Sequence, residues 1–104
     1  MLYQQGDVLI ETVDSIPEEA VSELAGERGF ILAAGEVTGH AHTINPRGAT
    51  LMGHNGQRFL KVYANSATVK HEEHGHVKLP KGDYKIRIVK EYDHFAEEAR
   101  SVKD

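Results

Sequence analysis

Residues 49–63 read ATLMGHNGQRFLKVY, and this stretch decides the fold class. Asn55-Gly56 is the dipeptide that a two-residue type I′ turn prefers, because both central residues need positive φ. Strand-forming residues lie on both sides of it, so the stretch predicts a β-hairpin. Its neighbours extend the pattern. YKIRIVKEY (84–92) alternates, with Tyr84, Ile86 and Ile88 facing one way and Lys85 and Arg87 the other. GDVLIETV (6–13) is rich in Val, Ile and Thr and reads as a strand. RGFILAAGEVTGHAHTI (28–44) reads as one bent strand or as two strands broken near Gly35. SATVKHEEHGHVKL (66–79) reads as a strand, an irregular step near Gly75, and another strand. NPRG (45–48) and PKGD (80–83) have turn composition.

Two segments read as helix. In DSIPEEAVSELAG (14–26), Ser15 and Glu18 have capping-box spacing, Pro17 suits the first turn, and Ile16, Ala20 and Leu24 share one face. In DHFAEEARSVKD (93–104), Asp93 is a candidate N-cap, and Phe95, Ala99 and Val102 form a thin apolar stripe. The expected fold is therefore mainly β: a small antiparallel barrel or sandwich with a short helix in the N-terminal half and another at the C-terminus. A chain of 104 residues implies one domain, 1–104.

Composition narrows the function classes. The absence of cysteine excludes disulfides, thiolate zinc fingers and cysteine-held iron–sulfur clusters. The formal charge of −4 argues against a dedicated nucleic-acid binder and against a polybasic membrane surface. The start, MLYQQGDVLIETVD, lacks a charged region followed by an apolar one, and no stretch has the length of a membrane span. The expectation is a cytoplasmic protein.

Five of the seven histidines fall in two clusters, GHAH (39–42) and HEEHGH (71–76). Side chains two apart on a strand point to the same side, about 6.6 Å apart along the axis. His40 and His42 therefore project together, and their rings can converge on an ion at about 2.0–2.1 Å. His71 and His74 are three apart, which suits a turn, whereas His74 and His76 share a side only if the chain is extended. The expected metal ligands are His40, His42, His71 and His74, with His76 at the rim. Glu72 and Glu73 have three readings: ligand, partner to a ring nitrogen, or surface charge. Glu36 shares the His40 face of a strand. His54, at the hairpin tip, and His94 read as surface residues.

A His-x-His strand pair followed by Pro-x-Gly, here His40, His42 and PKG (80–82), resembles the cupins. That resemblance implies a β-barrel holding a divalent metal. The chain departs from the cupin pattern: TINPRG stands where a glutamate follows the His-x-His pair, and Tyr84 and Lys85 stand where a further histidine follows Pro-x-Gly. GEVTGHAH, HEEHG, LPKGDY and EYD, in that order across residues 35–93, are similar to a group of short uncharacterised bacterial and phage proteins. That likeness supports the motifs as a unit and supplies no activity.

Three functions fit these residues. The first is a metal-dependent enzyme using zinc, iron, manganese or nickel, since imidazole suits several of these and the ligands alone do not fix which. The second is a binding module whose metal is structural or sensed. The third is a metal-free interaction protein or homo-oligomer, whose surface feature is Lys78, Lys81, Lys85 and Arg87. The partner, small molecule or protein, is open.

Overall fold

The computed structural model describes residues 1–34 and 39–89. They form one antiparallel sheet of eight strands: β1 (Leu2–Gln5), β2 (Val8–Thr12), β3 (Val21–Ser22), β4 (Phe30–Ala34), β5 (Ala41–Ile44), β6 (Ala49–His54), β7 (Gln57–Lys70) and β8 (Val77–Ile88). The main path runs β1-β2-β8-β7-β5-β4, and β6 joins β7 on one side and β3 on the other.

β7 organises the molecule. It pairs along one side with β8, from Arg58↔Ile86 to Val69↔Val77. Its other side is shared. Residues 57–62 pair with β6, whereas Val69 and Lys70 pair with β5. The β7–β8 register shifts between Val62 and Ser66. Such irregularities bend a strand and raise its twist, which lets the two halves of β7 serve two different neighbours. The sheet buries a main core that includes Val8, Ile10, Leu32, Ile44, Leu60 and Leu79. These residues come from β2, β4, β5, β7 and β8, so the core belongs to the sheet as a whole.

The hairpin at 49–63 forms as its sequence predicts. Asn55 has φ +50 and Gly56 φ +77, and the ladder runs from Ala49↔Val62 to His54↔Gln57. The 28–44 stretch holds two strands, β4 and β5, paired with each other. PKGD (80–83) is no turn. It lies inside β8, with Pro80 opposite Ser66 and Gly82 opposite Val62. Pro80 offers no N–H to the ladder, and its carbonyl accepts the Tyr84 hydroxyl.

The expected fold class needs two corrections. The helix at 14–26 does not form, and no helix occurs among the described residues. A turn, with Ala20 N donating to Pro17 O at 3.0 Å, leads into β3, which pairs with Met52 and Gly53 of β6. Leu24, the expected inward anchor of that helix, is 97% exposed. A helix this short gains its stability from packing an apolar face, and here strand pairing takes the backbone instead. The C-terminal helix at 93–104 lies outside the described residues. Nor does the sheet close into a barrel: among the described residues β1 and β4 end the path unpaired with each other. Arg58 bridges the seam beside β4. Its guanidinium donates to Ile31 O at 2.8 Å and to Leu32 O, and pairs with Glu23 beyond β3. None of the helices among the described residues is long and apolar enough to cross a membrane, since there are none.

Candidate functional site

Three chain reversals meet at the end of β7 opposite the Asn55-Gly56 turn. The first is the β1–β2 turn, where Gly6 and Asp7 lie between the paired Gln5 and Val8. Gly6 has φ +57, which a first central residue of a type II′ turn requires. The second is the entry to β5 through Gly39 and His40. The third is the loop 71–76 that joins β7 to β8. The β5–β7 register, Thr43↔Lys70, continued by one step sets His42 across from His71.

The rings gather accordingly. Centroids lie 4.3 Å apart for His42–His71, 4.7 Å for His71–His74, 5.9 Å for His42–His74 and 5.9 Å for His40–His71. His74 sits against the β1–β2 turn so closely that a Cβ on Gly6 would stand 2.7 Å from its Nε2. Gly6 is thus favoured by its φ, and a Cβ there would push the His74 ring aside. His76 and His54 stay out of the group; His54 Nε2 meets only Asn55, at 3.2 Å. Glu36 and His94 lie outside the described residues.

His42 is the buried centre, 2% exposed. Its Nδ1 is 2.8 Å from Gln5 Oε1. Gln5 in turn donates from Nε2 to Val69 O and to Gly75 O, each at 2.9 Å. Those two bonds fix which end of the amide is nitrogen. Oε1 can only accept, so Nδ1 of His42 must donate. The neutral ring then carries its lone pair on Nε2, which faces Asp7 Oδ1 at 3.4 Å. The neutral form is also the favoured one: burial first, then the neighbouring His71, lower the His42 pKa to about 4. Two acceptors face one another across that gap, an arrangement that repels unless a cation or proton lies between them.

The remaining contacts hold the loop. Glu72 Oε1 accepts the Ala41 N–H at 3.0 Å, and Oε2 accepts from Arg28, which also donates to Gly39 O at 2.8 Å. The Ala41 bond is the main reason the Glu72 carboxyl titrates below its ordinary range. Glu73 N donates to His71 Nδ1 at 3.0 Å, which puts the proton of a neutral His71 on Nε2. His40 Nδ1 is buried without a hydrogen-bond partner, 3.7 Å from Glu73 Oε2. Among the described residues, no three His, Asp or Glu side chains already stand with their ligating atoms gathered around one point.

Gln5 and Asp7 are the site residues that the sequence reading missed. Their signal was the Gly6-Asp7 pair ahead of a Val/Ile run, a hairpin dipeptide when another strand precedes it. With the strand begun at Gly6, β1 disappears and both residues lose their place.

The fold and this pocket define an all-antiparallel β protein with buried polar histidine chemistry at one end of its longest strand. The chain belongs to the family described as a domain of unknown function, DUF8820, whose profile matches residues 4–89. Among curated proteins and among solved structures, nothing matches it.

Proposed function

We propose that the protein binds a divalent metal ion between the β1–β2 turn and the histidine pocket. The observation that carries this reading is the opposition of His42 Nε2 and Asp7 Oδ1. A buried imidazole held in one tautomer by a glutamine carbonyl, its free nitrogen turned to a carboxylate, is how a metal-binding histidine is normally presented. His40, His71 and His74 complete the proposed donor set. Two imidazoles sharing a tetrahedral ion at about 2.0–2.1 Å place their ring centroids about 5 Å apart, and the observed spacings of 4.3–5.9 Å bracket that value. What the side chains lack is ring orientation, which χ rotation supplies. His71 ligates through Nε2 only when its Nδ1 takes the proton and releases Glu73 N. Nitrogen and carboxylate donors together suit zinc, iron, manganese or nickel.

A structural or sensed ion fits better than a catalytic one. The fixed donor nitrogen of His42 is fully buried, and the cleft beside His71 holds only about 210 Å³. The ion would tie the β1–β2 turn to the β7–β8 loop and add its binding energy to folding. Elemental analysis of protein purified without an affinity tag tests this. A stoichiometric metal is expected in the wild type, and His42→Ala and Asp7→Asn should both lose it. Wild-type protein that takes up no zinc, iron, manganese or nickel after chelation and re-addition sinks the proposal.

A further inference from the structure

Beside the histidine pocket, an open groove of about 630 Å³ is lined by β5 and the second half of β7 together with the turns at 26–29 and 45–48. Its charge runs against that of the chain. Arg28, Arg47 and Lys70 line it, with Glu27 as the one carboxylate, in a protein whose formal charge is −4. Arg28 is engaged with Glu72 and Gly39 O. Arg47 and Lys70 make no ion pair among the described residues. Between the cations stand hydroxyl groups. Ser66, Thr68 and Lys70 alternate along β7 and so share one face of it, and all three line the groove together with Thr43 of β5. No aromatic side chain is among the lining residues.

We propose that this groove binds a small phosphate ester. Two cations without an ion pair among the described residues, lining one groove with a partly engaged arginine, match a dianion, and arginine and hydroxyl donors suit phosphate oxygens. The volume falls within the usual range for small-molecule sites. A nucleic-acid strand fits worse, because no ring is present for a base to stack on and the whole chain repels a polyanion. The site stands apart from the metal reading: its residues bind anions whether or not the histidines hold an ion.

The probe is inorganic pyrophosphate, titrated at constant ionic strength into chelator-treated full-length protein and followed by ¹H–¹⁵N amide spectra. Saturable shifts are expected at Gly29, Gly48, Ser66, Thr68 and Lys70. Arg47→Glu with Lys70→Glu should weaken binding about tenfold or more, a loss of about 1.4 kcal/mol, in a spectrum that still reports a folded sheet. If the double variant does not fold, Arg47→Gln alone should weaken binding measurably. The proposal is overturned by an absence of saturable shifts up to about 10 mM, a concentration already weaker than the millimolar range of a feeble site. It is equally overturned by shifts that the substitutions leave unchanged. A single-stranded oligonucleotide that binds more tightly than pyrophosphate also replaces it.

Discussion

β7 ends in two reversals that both carry histidine, and they are built by different means. At its start, Asn55 and Gly56 turn the chain through their own backbone conformation, with φ +50 and +77, and His54 meets only its neighbour Asn55. At its end, residues 71–76 are tied to three distant places: Gln5 donates to Gly75 O, Arg28 pairs with Glu72, and the Ala41 amide donates to Glu72. The first reversal is a local instruction. The second is a consequence of the sheet having already formed. That difference explains why one histidine stays at a hairpin tip while others become buried, tautomer-locked chemistry.

The contrast can be broken most severely by removing the proposed ion. With metal a thousandfold above its dissociation constant, linkage supplies about 4 kcal/mol of stability. A chelator should therefore lower the melting temperature of wild type and of His54→Ala alike by well over 10 °C. His42→Ala should show no chelator effect. Calorimetry with and without chelator checks this.

Acid tests the same end without metal. The His42 pKa is about 4 when folded, against about 6.5 in an unfolded chain. Between those values the unfolded state binds more protons, so stability rises with pH. Metal-free protein should thus lose about 3 kcal/mol as pH falls from 6.5 to 4, with little further loss from this group below that. Urea melts across that range should show the slope in wild type and a flattened one in His42→Gln, whatever the absolute stability of the variant.

A cut at the other end should be smaller and blind to both treatments. Gly56→Val forces a β-branched residue to positive φ and should cost about 1–2 kcal/mol. Its denaturant midpoint should fall while the acid slope and chelator shift stay as in wild type. The smallest effect belongs to Glu72→Gln, which removes charge from an exposed pair. The unfolding midpoint should hold, and hydrogen exchange should speed up at the Ala41 amide alone.

The parts of the fold that could be read from sequence were those coded locally. Asn55-Gly56 with strand-forming residues on both sides placed β6 and the start of β7, and the alternation after Asp83 placed the end of β8. The segment 14–26 misled because capping-box spacing and an i, i+4 apolar face are local signals too, and β6 had an edge to offer Val21 and Ser22. PKGD misled because the bend in β7 gives Pro80 and Gly82 places opposite Ser66 and Val62. At the site, His-x-His spacing marked His40 and His42. Gln5 escaped notice because its partners, Val69 and Gly75, lie 64 and 70 residues away. An inward glutamine looks like any other until that distance is closed.

The guanidinium of Arg58 has a role beyond cohesion. The carbonyls of Ile31 and Leu32 that it occupies belong to an outermost strand, where bare acceptors invite another molecule to add its own strand. With those two acceptors covered by a charged side chain, the edge is less open to a strand from a neighbouring copy. Arg58→Ala should therefore show itself in turbidity on prolonged incubation as well as in a lowered unfolding midpoint.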